Sequence, residues 1–322
     1  MMVMASVFSD LRFHNEEAAF AALEAIMWTD GKPDACPHCG VIGKANKLAV
    51  QTSKPSKRNP DGKPVYGLWK CYACRGKFTV RKGTIFEESR LELHLWFQAA
   101  FLMSSSKKGV SANQLHRTLG VTIKTAWFLA HRLREAMRQG DLAVPFGSTG
   151  GAVEADETYV GKKAGVAKRR GGAYHKMKVL TLIDRETKQA KSTVLKTMHV
   201  SELAPIVRKN IAKEARLMTD EANHYRNLGQ EFADHQFVTH GLDEYVRGDA
   251  YTNTAEGFFS IFKRGMKGVY QHCQEKHLHR YLAEFDFRYN NRIALGVSDP
   301  ERTTAALKGA AGKRLTYRDS SV

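Results

Sequence analysis

Three acidic residues in the second half of the chain, Asp156, Asp220 and Glu256, are candidates for binding divalent metal ions. Hard cations such as Mg²⁺ prefer carboxylate oxygens held by rigid elements. Two such ions about 4 Å apart can activate an attacking oxygen and stabilise a leaving one, as phosphodiester cleavage requires. Clustered carboxylates repel one another, so bound metal would allow all three to be ionised together. The trio therefore indicates a site for Mg²⁺ or Mn²⁺.

Each of these acids also has an ordinary explanation. Asp156 stands in the acidic run 154–157 (EADE), so a neighbouring glutamate could take its role. Asp220 could cap a helix, and Glu256 lies three residues after Asn253, which is the offset of a capping box. On pattern alone, helix capping and solvated charge remain alternatives to metal binding.

Short strands and helices alternate around the acids. Asp156 falls within a predicted strand, Asp220 ends another, and Glu256 lies in the first turn of a helix that Asn253 opens. Alternating and helical apolar periodicities predict strands at 151–160, 177–183, 189–197, 215–219 and 235–239, and helices at 201–211, from 253 onward and at about 277–291. This order predicts a mixed α/β core that carries the acids.

Four of the five cysteines form two pairs, each with two residues between its members: Cys36, Cys39, Cys71 and Cys74. This spacing predicts one tetrahedral, structural Zn²⁺ site. Gly40 and Gly76 follow the pairs, where positive φ is often needed. Two disulfides are the alternative that a reducing compartment disfavours, and neither pair opens the βαβ unit of a redox site. His38 is expected to be a bystander and Cys273 a structural thiol.

Helical patterns precede the α/β core. One helix is predicted at 15–28 with Asn15 as N-cap, and three more at 91–103, 111–119 and 122–138. In the last, we expect a buried stripe of Ile123, Ala126, Trp127, Ala130, Leu133 and Met137, and an outward face of Lys124, Thr125, His131, Arg132, Arg134 and Arg138. Two helices joined at Gly120 fit a helix-turn-helix whose Lys124, Thr125 and Arg132 contact DNA. The alternative is an ordinary helical hairpin with a solvated basic face.

The charge balance indicates a polyanionic partner. Fifty Lys and Arg against 33 Asp and Glu leave a net charge of +17, with a pI of about 9.7. Nucleic acid is favoured over an anionic membrane because no long amphipathic helix with one basic and one apolar face is evident. No apolar run is long enough to span a membrane, and no secretory signal precedes the first helix, so we expect a cytoplasmic, nucleoid-associated protein.

Together these residues resemble the bacterial insertion-sequence transposases of the ISXO-type group. The matching stretches, spread from about 28 to 292, are CPHCG, CYACRGKFTVRKGTIFEES, VEADETYVG, LMTDEANHY, NTAEGFFSIFKRGMKGVY and KHLHRYLAEFDFRYNNR. The resemblance implies that Asp156, Asp220 and Glu256 are a DDE triad with Mg²⁺ or Mn²⁺. One departure is Tyr251, where the family carries a histidine.

The resemblance also implies an α+β multi-domain chain with an N-terminal zinc ribbon, a helix-turn-helix and an RNase H-like catalytic core. The expected parts are an N-terminal helical lead (1–30), the ribbon (31–82), the helix-turn-helix module (83–140), the catalytic domain (150–295) and a C-terminal tail (296–322). The implied activity is cleavage of 3′ transposon ends at terminal inverted repeats and joining to target DNA, by a homo-oligomer on double-stranded DNA.

Basic residues beside the acids could hold phosphates in such a fold. They are Lys162, Lys163, Lys168, Arg169 and Arg170 after Asp156, and Lys263, Arg264 and Lys267 after Glu256. A solvated basic loop is the alternative for any one of them. For the whole protein, the alternatives are a transposase-derived DNA-binding protein (a repressor) without catalysis, and a general metal-dependent nuclease.

Overall fold

The computed structural model describes residues 6–57, 59–168, 172–220, 225–238 and 252–316. These residues form two compact units. The first unit takes its residues from 1–106, 111–137 and 297–322, and the second from 107–110 and 138–296. No helix in the described part of the chain combines the length and the apolar character needed to cross a membrane.

The first unit contains small antiparallel sheets followed by helices. Its strands are β1 (Ala45–Lys47), β2 (Gln51–Thr52), β3 (Pro64–Val65), β4 (Trp69–Cys71) and β5 (Lys77–Phe78). Its helices are α1 (Glu16–Met27), α2 (Leu93–Ser105), α3 (Ala112–Leu119), α4 (Ile123–Met137) and a C-terminal helix, Asp299–Lys308, called α9 below. Strands β1, β4 and β5 form one sheet in that order, and β2 pairs with β3.

Side-chain caps begin two of the predicted helices of this unit, α1 and α3, where the sequence places them. Asn15 Oδ1 accepts a hydrogen bond from Ala18 N at 2.9 Å, and Ser111 Oγ accepts one from Gln114 N at 3.1 Å. Gly120 ends α3 in the left-handed conformation, with a φ of 66°, which a residue without Cβ adopts without strain. The three predicted helices from 91 to 138 are confirmed, with bounds that shift by one or two residues.

The outward face predicted for α4 is wrong at three positions. His131, Arg132 and Arg134 are buried, whereas Ile123, placed in the buried stripe, is 45% exposed. Arg132 donates hydrogen bonds to two backbone carbonyls, Leu315 O at 3.0 Å and Glu87 O at 3.1 Å. Its guanidinium therefore stabilises the interior of this unit, and the predicted DNA contact by Arg132 is wrong because the side chain is buried.

The segment expected to be a tail contributes to the same interior. Helix α9 begins with a capping box formed by Ser298 and Glu301, and it buries Ala306 and Leu307. Arg302 Nη1 donates to Ser104 O at 3.0 Å, at the end of α2. Residues 297–316 are thus folded with the first unit, although no pattern recognised in the sequence assigned them a place.

The second unit is built on a five-stranded mixed sheet. Its strands are β6 (Ala152–Val160), β7 (Met177–Asp184), β8 (Ala190–Leu195), β9 (Arg216–Asp220) and β10 (Asp234–Val238). Its helices are α5 (Val200–Asn210), α6 (Tyr225–Leu228), α7 (Asn253–Gly265) and α8 (Glu275–Asn290), with a π-helical turn at Met266–Tyr270. The strand order is β10-β9-β6-β7-β8. Strands β6, β7 and β8 are antiparallel neighbours, while β9 runs parallel to both β6 and β10.

Both faces of this sheet are covered by helices. Alternate residues of β7 point to opposite sides, so this strand contributes to a core on each face. Leu180 and Leu182 share a core with α5 residues such as Leu203, while Val179 and Ile183 share another with α7 and α8. Gly265 lets α7 approach α8 closely, since a Cβ there would lie 2.5 Å from Phe285 Cζ. The predicted strands and helices of this region are confirmed to within about two residues.

Helix α8 protects the free edge of strand β8. Asn290 Oδ1 accepts from Ala190 N at 2.7 Å, and Asn290 Nδ2 donates to Ala190 O at 2.9 Å. Asp286 accepts from Ser192 N and Oγ at 2.7 and 2.6 Å. These side chains satisfy backbone groups that an edge strand would otherwise expose.

We expect Asn290→Ala to lower the free energy of unfolding by about 2–4 kcal/mol, because two buried backbone groups of Ala190 lose their partners. Urea unfolding followed by circular dichroism measures this change. Gln189→Ala is the matched control, since it removes an exposed amide one residue away and should change stability by less than about 0.5 kcal/mol. Equal effects of the two substitutions would contradict the role of Asn290 at the edge.

Candidate active site and zinc centre

Strands β6 and β9 bring two of the three candidate acids together. The parallel register pairs Val153 with Leu217 and Glu154 with Met218. Continued by two residues, the same register places Asp156 level with Asp220 on neighbouring strands, about 4.8 Å apart in the hydrogen-bonding direction. Such adjacency between residues 64 positions apart in the sequence depends on the parallel pairing.

A third acid joins them. Carboxylate oxygens of Asp156, Glu157 and Asp220 all lie within 4.8 Å of one another, a grouping that could hold a metal ion. Burial is the main reason that the pKa of Asp156 is raised to about 7. The neighbouring charges of Glu157, Asp220 and Glu256 act in the same direction. The three carboxylates repel one another when all are ionised. A bound divalent cation would remove this repulsion, because it binds carboxylate oxygens.

Glu256 approaches this cluster from helix α7 but is not one of its three members. It lies in the first turn of the helix, is exposed, and is near enough for its charge to raise the pKa of Asp156. The capping-box alternative for Glu256 is wrong. The N-cap residue is Thr252, not Asn253, and its side chain makes no capping hydrogen bond.

Glu154, which the sequence presented only as a neighbour of Asp156, fixes α7 against β6. It is fully buried, and Oε2 accepts a hydrogen bond from Ala255 N at 2.9 Å in the first turn of α7. Its other oxygen pairs with Arg185 Nε at 2.7 Å. A buried carboxylate at a helix N-terminus is stabilised by the unpaired amides there. Glu154 therefore holds Glu256, one residue beyond Ala255, beside the strand that carries Asp156.

Tyr225 is a second residue that sequence reasoning missed. Its hydroxyl donates a hydrogen bond to Glu157 Oε1, and its ring is fully buried at the start of α6. Burial raises the pKa of Tyr225 well above its usual value, and the charge of Glu157 adds to this. Tyr225 therefore stays a neutral donor that orients Glu157.

We expect Glu154→Gln to lower the free energy of unfolding by about 2–3 kcal/mol, because Arg185 loses its partner in a site that is mostly buried. Chemical unfolding measures the change. Glu186→Gln is the control, since Glu186 is exposed and its loss should cost less than about 1 kcal/mol. If Glu154→Gln proved as mild as the control, the buried ion pair of Glu154 with Arg185 would not contribute to stability.

The four paired cysteines form one cluster in the first unit. Cys36 Sγ lies 3.8 Å from Cys74 Sγ, and Cys39 Sγ lies 3.8 Å from Cys71 Sγ. A zinc ion about 2.3 Å from four tetrahedral sulfurs places them about 3.8 Å apart, whereas a disulfide needs about 2.05 Å. None of the four cysteines is in a disulfide. The cluster is consistent with a structural zinc, and His38 is not one of its members.

The two cysteine turns differ in how they reach positive φ. Gly40 has a φ of 72°, as expected after the first pair. In the second turn the positive φ belongs to Arg75, at 63°, and not to Gly76. Gly76 is needed for space instead, since a Cβ there would lie 2.9 Å from His38 Cδ2. The ribbon is joined to α1 through Trp69 Nε1, which donates to Glu24 Oε1 at 2.9 Å.

The candidate DNA-contacting residues fall into different environments. Those with exposed side chains are Lys124, Lys162, Lys168, Lys263, Arg264 and Lys267. Lys163 is paired with Glu275 Oε1 at 2.6 Å, and Arg264 donates to Ser260 Oγ at 2.8 Å. Thr125 is half-buried and its Oγ1 lies 2.9 Å from Thr122 Oγ1. Arg169, Arg170 and Tyr251 lie outside the described residues.

Comparison with known proteins identifies two parts of the chain. Residues 149–290 match the ISXO2-like transposase domain, and residues 14–77 match a transposase zinc-ribbon domain. A protein in transposable element ISH50 of Halobacterium salinarum is 26% identical over 291 residues, covering 86% of this chain and 91% of the relative. Both matched domains, the one with the acids and the one with the cysteines, are transposase domains. Residues 14–77 and 149–290 therefore belong to transposase domain families, and the relative lies in an insertion element, which confirms the resemblance seen in the sequence.

Solved structures also match, one of them at low similarity. It is a chain of the simian T-cell lymphotropic virus intasome in complex with PP2A regulatory subunit B56 gamma, 13% identical, with a TM-score of 0.28. The match covers 60% of this chain and 65% of that chain. A likeness at this level carries no argument about the site.

Proposed function

We propose that this transposase binds the terminal inverted repeats of its element, cleaves the 3′ ends and joins them to target DNA. Asp156, Asp220 and Glu256 would hold Mg²⁺ or Mn²⁺ for this chemistry. The observation that carries the proposal is the meeting of the Asp156 and Asp220 carboxylates, with Glu157, inside the matched transposase domain. Glu256 is near enough to this cluster for its charge to raise the pKa of Asp156.

The fold proposed for the catalytic domain is RNase H-like. Three antiparallel strands, β6 to β8, are followed by a helical crossover and by β9, which returns parallel to β6. With this connection Asp220, at the end of β9, is level with Asp156 near the middle of β6, where two carboxylates can share a cation. In the first unit, α3, the turn at Gly120 and α4 are proposed as a helix-turn-helix that presents Lys124 and Thr125 to DNA.

Each acid would have a distinct part in this reaction. When bound, two divalent cations supply charge stabilisation at the attacking and leaving oxygens of the phosphodiester. Asp156 is held rigidly in the central strand, and Asp220 at the end of its neighbour. Glu256 lies on α7, so its distance from the strand acids is set by the packing of that helix. The exposed lysines that follow on both elements would fix the DNA backbone rather than read bases.

The protein is proposed to act as a homo-oligomer on paired double-stranded DNA ends, in the cytoplasm at the nucleoid. The net charge of +17 supports the DNA partner, since neutralising phosphates releases counterions. The cysteine cluster would contribute a folded ribbon next to the helices of the first unit.

Strand transfer in vitro tests the proposal. Purified protein is mixed with Mg²⁺, a duplex carrying the end sequence of its element, and a supercoiled target plasmid. Joined products that need Mg²⁺ and the end sequence would support it. Specific binding of the ends with neither cutting nor joining, in Mg²⁺ or Mn²⁺, would favour a DNA-binding protein without catalysis. Nicking that ignores the end sequence and gives no joined product would favour a general nuclease.

A further inference from the structure

Helix α4 is accessible to a ligand only at its first turn. From Ala126 to Met137 its residues are buried or half-buried, and the helix packs against α2 and α9. In α4, every residue of which the structure describes, only Ile123 and Lys124 are exposed. If α4 is the second helix of a helix-turn-helix, as proposed above, these two side chains are therefore the ones that can reach base edges.

Two threonines close the start of α4. Thr122 Oγ1 accepts a hydrogen bond from Thr125 N at 3.2 Å and lies 2.9 Å from Thr125 Oγ1. A threonine that satisfies a free amide of the first turn is a usual helix N-cap. Ile123, the residue after this cap, has no polar side-chain atom and takes no part in it. Neither helix capping nor core packing therefore accounts for an exposed isoleucine at this position.

Ile123 is an apolar side chain in polar surroundings. It is 45% exposed, and within α3 and α4, which the structure describes in full, no other large apolar residue is exposed. In the preceding helix and turn, the ring of His116 contacts Val121 O through Nδ1. Arg117 and Lys124 are exposed. A polyanion that approaches this turn would thus meet polar and basic side chains around a single apolar one.

An exposed apolar side chain at this turn is best used against an apolar group of the partner. In the major groove of DNA, the base edges present hydrogen-bond donors, acceptors and one apolar group, the C5-methyl of thymine. Isoleucine suits such a contact, because its χ1 angle is already restricted in a helix and little side-chain freedom is left to lose.

We propose that Ile123 is a specificity-determining residue, which contacts the methyl group of a thymine in the major groove of the transposon end. The identity of this DNA rests on the proposed function. The apolar character of the contact rests on the exposure of Ile123 at the accessible turn of α4. Ile123 would favour one end sequence over another and would take no part in the chemistry at the acids.

A uracil scan isolates this contact, because uracil differs from thymine only in lacking the methyl group. In a duplex with the end sequence of the element, each thymine is replaced in turn by deoxyuridine. Fluorescence anisotropy measures the Kd of the zinc-loaded full chain without Mg²⁺, so that no cleavage occurs. At one thymine, or at two adjacent ones, the replacement is expected to weaken binding about fourfold, the loss for one buried methyl group. The remaining replacements should leave Kd unchanged.

Ile123→Ala should abolish this sensitivity to uracil, because the alanine side chain is too short to reach the base. It should leave binding of random-sequence DNA unchanged, since that binding depends on phosphate contacts. Ile293→Ala is the matched control: it removes an isoleucine that is 70% exposed in the second unit, and the uracil sensitivity should persist. Ile123→Val removes one methyl group and should give an intermediate sensitivity. It replaces the alanine variant in the test if circular dichroism shows that the latter does not fold.

The proposal is overturned if no thymine of the end duplex gives a loss of at least twofold on replacement by uracil. It is also overturned if Ile123→Ala keeps the full sensitivity. A third contrary result would be weaker self-association of Ile123→Ala in analytical ultracentrifugation with the sensitivity intact, since Ile123 would then contact a second copy of the chain. Uracil sensitivity that depends on Ile123, without strand transfer, would count against the proposed function alone. Equal binding of end and random-sequence duplexes would count against both.

Discussion

Replacing Asp156 with asparagine is expected to reduce Mg²⁺-dependent cleavage of the element's ends by about a thousandfold or more, while leaving DNA binding nearly unchanged. The substitution removes the negative charge at the centre of the acidic cluster but keeps the shape of the side chain. A bound cation contributes several kcal/mol of charge stabilisation, and each 1.4 kcal/mol corresponds to a factor of about ten in rate. Single-turnover cleavage of a labelled end duplex measures the rate, and a gel shift measures binding.

The same loss is expected for Asp220→Asn and Glu256→Gln, and retained cutting by either would remove that residue from the triad. The substitution Glu157→Gln tests whether Glu157 is itself a metal ligand or only lies next to the ligands. Glu157 lies in the cluster and accepts a hydrogen bond from Tyr225, so we expect its substitution to leave measurable cleavage. If Glu157→Gln abolished cleavage and Asp156→Asn did not, the catalytic role would move to Glu157.

The second large effect concerns zinc. Cys71→Ser should release the metal and unfold the ribbon, because binding of a structural zinc supplies about 10–16 kcal/mol of apparent folding free energy in small zinc modules. Cys71 is fully buried and packed with Trp69 and Phe78, so a serine hydroxyl there would also place a polar group in the small core of the ribbon. Zinc content, measured by mass spectrometry of the metal, should fall from one ion per chain to nearly none. Protease cleavage between Cys36 and Phe78 should become rapid.

Cys273→Ser is the matched control for this experiment, since it removes a cysteine from outside the cluster. It should keep the full zinc content and the protease resistance of the ribbon. A Cys71→Ser protein that retained one zinc per chain would contradict the four-cysteine site. Equal zinc loss in both variants would place Cys273 among the ligands.

Local patterns in the sequence determined the elements and the metal-binding residue types. The spacing of Cys36 and Cys39 predicts a metal knuckle because two thiolates two residues apart reach one ion from a single turn. Asn15 and Ser111 predict helix starts because their side chains bond amides only three residues away. Such signals act over one or two turns of chain, which is why they could be interpreted without the fold.

The zinc ribbon and the transposase domain were likewise predicted, since the resemblance rested on groups of neighbouring residues. The assignment of Asp156, Asp220 and Glu256 to one triad came from that resemblance. Residue pattern alone left helix capping as an alternative, and the structure removes it for Glu256 by placing the N-cap at Thr252.

Tertiary structure alone decided which side chains face the interior and which acids meet. A helix with basic residues on several sides gives no local sign of which side packs, so Arg132 became buried against Leu315 O and Glu87 O, contrary to prediction. Glu154 looked like a neighbour of Asp156, yet helix α7 packs over it and buries it against Ala255 N and Arg185. Lys162 and Lys263, which are more than 100 positions apart in the sequence, line one cleft where β6 and α7 end. Proximity of this kind is set by the direction in which β6 and α7 pack, and no short-range pattern encodes it.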